Sequence, residues 1–565
     1  MKDVSYALLG VIDRLTIGYR MIEKPAKSRI RALIFGLPIG IFLLALLARG
    51  LAGTRTIDDA YITYRYAYNL LAGNGFVYNP GERVLGTTTP LYTLLMTILG
   101  SLSGGPQAPF PNLALLINAF ADGITCMLLY FLGRRLGFKY AGAGAAIVWA
   151  IAPFSVTFAI GGLETSVYVL LLVSMVYAHL ENRHILAAFL GSMAFLTRPD
   201  ALILIGLIGL DRLWDIIRHK RQDSHDKTIP SRSSILIEGL AFLAPSLVWV
   251  VFASLYFGNP LPHSITAKSL AYLLSPEAAF VRLLQHYATP FLGHLTFGTA
   301  WIGIGMVLYP FLYLVGAMQA LRINPRVWPF VAYPWIYMAV FSLANPLIFR
   351  WYMTPPLPAY FLFILIGAQK LVGELTMALA KRRLGRDQAD NNKSSNLAGS
   401  LVLLCLVILA PVALSLRDWQ LHPDHGLTRP TPEMAWYKLE LLYRQAADIL
   451  IPEINHRSEE KVVLAAGDVG VLGFYTHAYI LDTVGLNSPQ STQYYPLDPE
   501  FYVTNYAIPP NLILDTLPNY IVILEVYGRA GLLQNSDFWQ KYILCQKIAT
   551  DIYGSDGMLI FERKQ

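Results

Sequence analysis

Two adjacent carboxylates, Asp58 and Asp59, follow the first apolar run of the chain, Arg31 to Arg49, by a few residues. An acid close to a bilayer is costly and usually has a function there. Aspartate, with a reference pKa of about 3.9, is ionised at neutral pH and can take a proton from an attacking hydroxyl. A positioned base of this kind is worth on the order of 10²–10⁴ in rate. Read as a helix, Asp58, Ile62, Arg65 and Asn69 share one face, with Tyr61, Tyr64 and Tyr68 as a neighbouring stripe. That is an interfacial helix with aromatics at headgroup level and acids at its N-terminus. The plainer alternative is that the acids cap the helix and favour its dipole. Capping needs one Asp and leaves the other unexplained.

The elements that hold this pair are membrane spans. The chain is 55% hydrophobic and 14% charged, against about 25% charged for a soluble domain, and its mean hydropathy is +0.45. Its net charge of +7 lies in loops, which fits the positive-inside pattern and not nucleic-acid binding. Cys126, Cys405 and Cys545 form neither a disulfide framework nor a CxxC metal site. No cleavable signal peptide is evident, and residues 1–30 read as a cytoplasmic amphipathic segment.

Apolar runs of roughly 20 residues place spans near 31–49, 112–132, 141–160, 164–180, 184–197, 199–217, 235–257, 297–320, 327–344, 355–376 and 399–416. The segment 88–103 is apolar but short, either interfacial or spanning. The basic loops at Lys24–Arg31, Arg134–Lys139, Arg212–Arg232 and Lys381–Arg386 fall on one side only if it does not cross. The expected architecture is therefore a polytopic α-helical membrane protein with about eleven transmembrane helices over 31–416. Its N-terminus is cytoplasmic, and a first outer loop spans 51–111. Residues 417–565 read as an extracytoplasmic α/β domain, with strands at 461–467, 520–524 and 558–561 and a helical pattern over 434–450.

The first loop continues through Gly73-Asn-Gly75, Phe76-Val-Tyr-Asn-Pro80-Gly81-Glu82-Arg83 and Thr87-Thr-Thr-Pro90. Its Gly and Pro punctuation reads as an ordered loop, with Glu82 and Arg83 as an ion pair. Asp-Asp-Ala-Tyr-Ile, followed by Gly-Asn-Gly-Phe-Val-Tyr-Asn-Pro-Gly-Glu-Arg-Val, resembles the first outer loop of GT-C superfamily, polyprenyl-phosphate-dependent glycosyltransferases. The group most resembled is the mycobacterial terminal arabinofuranosyltransferases of the AftB type. Gly161-Gly-Leu-Glu164, Leu196-Thr-Arg198-Pro-Asp200, Gly258-Asn-Pro-Leu-Pro-His263, Arg350-Trp-Tyr352 and Gly467-Asp468-Val-Gly470 follow in the same order. Thr87-Thr-Thr-Pro90 departs from the family's Tyr-Thr-Asn type.

The resemblance implies a multi-pass plasma-membrane enzyme whose active site is extracytoplasmic. Its first-loop acid, Asp58 or Asp59, would be the base, and its donor a polyprenyl-phosphate sugar of arabinofuranose or a related pentose. A glycan or lipid would be the acceptor. A lipid phosphate leaves as a stable anion, so no second carboxyl acid is needed, unlike in a glycosidase. It does need cations and hydrogen-bond donors. On the outer side these are Arg65, Arg198, His263, Lys268, Arg350 and Tyr352, with Glu164, Asp200 and Asp468 as sugar or acceptor groups. Each has a structural alternative: an Arg198–Asp200 pair, solvated loop residues at His263 and Lys268, a snorkelling Arg350, a helix cap at Glu164 and a turn-stabilising Asp468. No cofactor is required, although Asp58, Asp59, Glu164 and Asp200 carry oxygens that could hold a divalent cation. The competing function is a transporter or flippase of lipid-linked sugars, which would bury acids at mid-membrane in repeated halves.

Overall fold

The structure is a computed structural model that describes residues 26–221, 232–384, 402, 405–424, 427–435, 438–457 and 461–564. Most of the expected 1–30 segment thus lies outside the described residues, as do parts of the basic loops at 212–232 and 381–386. Up to Leu416 the chain is a bundle. Its long elements are helices Ala26–Ala52, Phe110–Arg135, Lys139–Ile151 with Pro153–Ile160, Thr165–Leu180, His184–Thr197, Leu202–Arg221, Arg232–Phe257, Ala300–Ile323, Trp328–Ala344 and Leu357–Leu384. Cys405–Leu409, a wide helical turn, runs into Ala410–Leu416.

Among the described residues, five helices are long and apolar enough to cross a membrane. The pair Lys139–Ile151 and Pro153–Ile160 makes a sixth if its 43° bend is a break within one span. Pro153 stands at the bend, where its ring cannot continue the preceding helix. Helix Pro90–Ser101 has 12 residues, about 18 Å at 1.5 Å per residue, too short for a hydrocarbon core of roughly 30 Å. It begins beside Gly162, whose carbonyl takes the Tyr92 hydroxyl at 3.1 Å.

One ion pair sits wholly inside the bundle. Arg49, at the end of the first helix, donates through Nε and Nη2 to one oxygen of Asp122 at 3.1 and 2.9 Å, and both side chains are 0% exposed. The remaining valences are filled: Trp149 Nε1 and Ser166 Oγ donate to Asp122 at 3.1 and 2.9 Å. Arg49 also reaches the Ala150 carbonyl and Ser155 Oγ. A buried pair is tolerated when its other hydrogen bonds are satisfied in this way.

After Leu416 come two antiparallel strands, β1 (Trp419–Asp424) and β2 (Leu427–Pro432), then helix Lys438–His456. A five-stranded sheet follows: β3 (Val463–Ala466), β4 (Tyr479–Asp482), β5 (Tyr520–Leu524), β6 (Tyr542–Ile548) and β7 (Met558–Arg563), ordered β4-β3-β5-β7-β6. β3 is parallel to β4 and β5, whereas β7 runs antiparallel to β5 and β6. The expected strands at 461–467, 520–524 and 558–561 correspond to β3, β5 and β7. β4 and β6 were not expected from the sequence, and β6 is mostly exposed.

Removing one partner of a buried pair strands the other charge, at a cost of about 3–5 kcal/mol. Asp122→Ala is therefore expected to lower the unfolding free energy in detergent by about that amount. Adding Arg49→Met should recover most of the loss. An Asp122→Ala protein that unfolds like wild type would show the pair to be dispensable.

Candidate active site

The acidic helix, Asp58–Leu71, starts after Ile57, which offers no side-chain cap. Neither acid caps its own helix. Asp58 instead accepts the backbone N–H groups of Gly470 and Val471 at 2.9 and 2.8 Å. These open the short helix Gly470–Thr476 that follows β3. The approach is so close that a Cβ on Gly470 would overlap the Asp58 carbonyl, and one on Gly473 the Tyr78 hydroxyl. Burial, then the charge of Asp468, holds the Asp58 carboxyl well above the usual carboxylate range, against the pull of its two N–H donors.

Arg65 completes the same junction and is not a phosphate ligand. It is 3% exposed and donates to the carbonyls of Tyr78, Gly473 and Ala478 and to Asn79 Oδ1. Its guanidinium lies 4.4 Å from the Tyr78 ring. The Asn79 amide pairs with both backbone groups of Ile480, donating at 2.9 Å and accepting at 3.0 Å. β4 is an edge strand, so the Asn79 side chain satisfies edge groups that otherwise invite pairing. Glu82 and Arg83 do not pair: Glu82 accepts the Tyr479 hydroxyl, and Arg83 lies 4.6 Å from the Tyr256 ring.

Asp59 points elsewhere. Its side chain is 37% exposed and one oxygen lies 3.9 Å from Lys268 Nζ, itself 20% exposed. Burial opposes the Lys268 charge, but the fields of Tyr352 and Asp59 outweigh it and hold the ammonium above its ordinary value. Lys268 also lies 5.2 Å from the Phe349 ring. Its helix, His263–Ala271, is fixed at its start by the His263 N–H on the Leu85 carbonyl. His263 Nδ1 meets the Gly485 carbonyl at 2.9 Å, where it can only donate. His263 therefore ties the loop to the sheet through Nδ1.

The Arg198–Asp200 pair forms, and a third group joins it. Arg198, 3% exposed on its side chain, donates to both Asp200 oxygens at 2.9 and 3.2 Å and to Glu164 at 3.4 Å. Tyr352 and Tyr168 rings lie 4.5 and 5.1 Å from its guanidinium. Tyr337 donates to Asp200 at 3.2 Å and to the Tyr352 carbonyl at 2.6 Å. Glu164 makes no side-chain cap bond. Arg198 is thus engaged by both Asp200 and Glu164 behind Tyr352. Arg350 opens the turn Arg350–Met353 and is exposed, and its side chain makes no hydrogen bond or ion pair among the described residues.

Asp468 accepts the Tyr443 hydroxyl at 2.8 Å. Its carboxyl is pushed up to about 6, chiefly by burial, with Asp59 and Asp482 adding to the rise. Glu440, one helical turn before Tyr443, is pushed up to about 7, again chiefly by burial. Sequence reading missed both Glu440 and Tyr443; their one-turn spacing on helix Lys438–His456 was the only available signal. Asp482 is fully buried and accepts three N–H groups, from Val484, Gly485 and Asn487, so it organises a turn. A polar cleft of about 490 Å³ opens beside the acidic helix, lined by Thr56, Tyr61, Glu440, Arg444 and Tyr475 among others. Among the described residues, no three His, Cys, Asp or Glu side chains are grouped to hold a metal ion.

Solved structures of known proteins have a similar overall fold. The oligosaccharyltransferase of Archaeoglobus fulgidus, in its complex with zinc and sulfate, aligns with a TM-score of 0.53 at 12% identity, over 92% of this chain and 72% of that one. ArnT of Cupriavidus metallidurans in the apo state aligns with a TM-score of 0.51 at 12% identity, over 95% and 98%. The chain has the GT-C fold, as its first loop led us to expect. In sequence it is similar to the terminal β-(1→2)-arabinofuranosyltransferase of Mycobacterium tuberculosis H37Rv, with 31% identity over 234 residues. That stretch covers 38% of this chain and 35% of the relative, so the match spans about a third of the relative's length. Residues 437–561 match a family described as a domain of unknown function, DUF8728.

Two outcomes separate the paired acids. Asp58→Asn sets an amide NH₂ against a backbone N–H, and is expected to cost about 1–3 kcal/mol of stability. Asp59→Asn should stay within about 0.5 kcal/mol of wild type. Equal unfolding midpoints for the two variants would contradict this division.

The Asp468 carboxyl, at about 6 in the fold against about 3.9 unfolded, binds its proton more tightly in the native state. Its stabilising contribution is thus full below about pH 4 and is lost as pH rises through about 6. Asp468→Asn should flatten that slope in unfolding curves taken across the window.

Proposed function

We propose that this chain is a membrane glycosyltransferase that moves a sugar from a polyprenyl-phosphate donor to an extracytoplasmic glycan or lipid acceptor, with Asp59 as the general base. The observation that carries this reading is the half-exposed Asp59 carboxylate, 3.9 Å from Lys268, in a GT-C fold. Its neighbour Asp58 has both oxygens occupied by backbone donors. Asp59 removes the proton of the acceptor hydroxyl, and that oxygen attacks the anomeric carbon as the bond to the phosphate oxygen breaks. The polyprenyl phosphate leaves as an anion, which needs cations around it and no proton donor. Lys268 and the unpaired Arg350 serve this role. Tyr352 lines the site over the engaged Arg198, and Asp468 faces the acceptor side. The M. tuberculosis relative favours an arabinofuranose-type pentose as the transferred sugar.

In this reading residues 31–416 form the membrane domain with eleven crossings, and 417–565 an extracytoplasmic α/β domain at the plasma membrane. Two sets of contacts support that arrangement. Loops assigned to the outer face meet one another at Asp59–Lys268 and Arg198–Glu164. Those assigned to the cytoplasmic face meet at Arg135–Glu181 and Arg326–Asp215.

The test is sugar transfer in membranes, using a panel of radiolabelled polyprenyl-phosphate sugars. Wild type should transfer from one of them. Asp59→Asn should lower kcat by on the order of 10²–10⁴ with donor binding retained, and Lys268→Met should weaken donor binding. Full activity of Asp59→Asn would remove Asp59 as the base. A wild type that moves lipid-linked sugar across the membrane and transfers none would favour the transporter.

A further inference from the structure

The face away from the acids carries a second cavity that catalysis does not use. About 640 Å³ in volume, it lies where helices His184–Thr197, Leu202–Arg221 and Arg232–Phe257 come together. One wall is apolar and open: Ile185, Leu186 and Phe189 are 44%, 42% and 44% exposed. The other is charged. Arg212 is held by Glu238 through two bonds of 3.0 and 2.7 Å. The Arg183 side chain is exposed and has no acceptor among the described residues. It precedes a helix whose first turn carries no side-chain cap, so unsatisfied N–H groups stand beside the guanidinium.

Depth is the second constraint. Helix His184–Thr197 has 14 residues, about 21 Å, whereas its packing partner Arg232–Phe257 has 26, about 39 Å. Arg183 lines the cavity beside Ser234 and Glu238, which belong to the first two turns of the longer helix, so the guanidinium stands where the polar end of that helix gives way to its apolar face. An unpaired guanidinium next to apolar walls fits an anion that brings its own acyl chain.

We propose that an anionic phospholipid of the cytoplasmic leaflet occupies this cavity. Its phosphate would lie on Arg183 and the first-turn N–H groups, with one acyl chain along Leu186 and Phe189. Arg212, neutralised by Glu238, closes the far wall and leaves one net positive charge for one phosphodiester. The leaflet assignment rests on the crossing pattern proposed above; the site itself does not depend on the transfer reaction.

The test uses the full chain in nanodiscs made of equal parts phosphatidylglycerol and phosphatidylcholine, with retained lipid counted by native mass spectrometry. Wild type is expected to keep one phosphatidylglycerol in preference to phosphatidylcholine. Arg183→Ala should lose that preference by about tenfold, a change expected for one charge-assisted contact, and Arg183→Lys should keep most of it. As a check independent of any variant, the wild-type unfolding midpoint in detergent should rise with added phosphatidylglycerol and not with phosphatidylcholine. Equal retention of the two lipids by wild type, equal retention by wild type and Arg183→Ala, or a midpoint raised as much by inorganic phosphate would each overturn the proposal. Sugar transfer is not a readout here, so failure of this site and failure of the catalytic reading remain distinct.

Discussion

The junction between the first outer loop and the C-terminal sheet depends on buried backbone groups finding partners. Each N–H or C=O that leaves water unpaired is costly. Three side chains of one short stretch meet that demand on the far side of the interface. Asp58 takes the N–H groups at the start of helix Gly470–Thr476, Arg65 takes carbonyls at Gly473 and Ala478, and Asn79 completes the edge of β4 at Ile480. Glycines at 470 and 473 let the two backbones come this close. The sheet is thereby held in register over the acidic helix, and everything in the candidate site is positioned relative to that contact.

This explains why two acids stand side by side. Asp58 is spent on architecture, and its neighbour, about 100° round the helix, is carried to the opposite surface, where Lys268 waits. Carboxyls packed behind that surface are raised by burial, Asp468 to about 6 and Glu440 to about 7. Each of them carries less negative charge near neutrality than an exposed acid would. In the proposed reaction, that limits the repulsion between the pocket and a phosphate donor.

Much of the bundle was legible in the sequence because a bilayer imposes one simple rule, and every segment read as a span holds a helix. β3, β5 and β7 were legible for a similar reason, as short apolar runs. The charged residues were harder to read. Arg65 and Arg198 have the residue types of phosphate ligands, yet each is consumed by protein acceptors, and His263 spends one ring nitrogen on another; a sequence does not show which acceptors tertiary structure brings near. Asp58 was half legible: its capping role was foreseen, but for its own helix and not for one 412 residues away. Asp122 could have been found as an acid inside an apolar run, the usual mark of a partnered intramembrane charge. Glu440 and Tyr443 lie in a helix that looks ordinary until it is docked.

A pattern follows for the remaining cations. Arg49 is matched by Asp122, Arg65 by carbonyls, Arg198 by two carboxylates and Arg212 by Glu238. Each is a charge in a place where desolvation would be prohibitive without its partner. Among the described residues proposed for the site, Lys268, loosely held at 3.9 Å, and the exposed Arg350 are cations whose hydrogen-bonding capacity is not already filled by the protein. An anion arriving there displaces little. At Arg198 it would have to break a bidentate bond to Asp200 and a further bond to Glu164. Binding strength at such a site is set by what must be given up as much as by what is gained, so the weakly engaged cations and not the most conspicuous arginine define where a phosphate can sit.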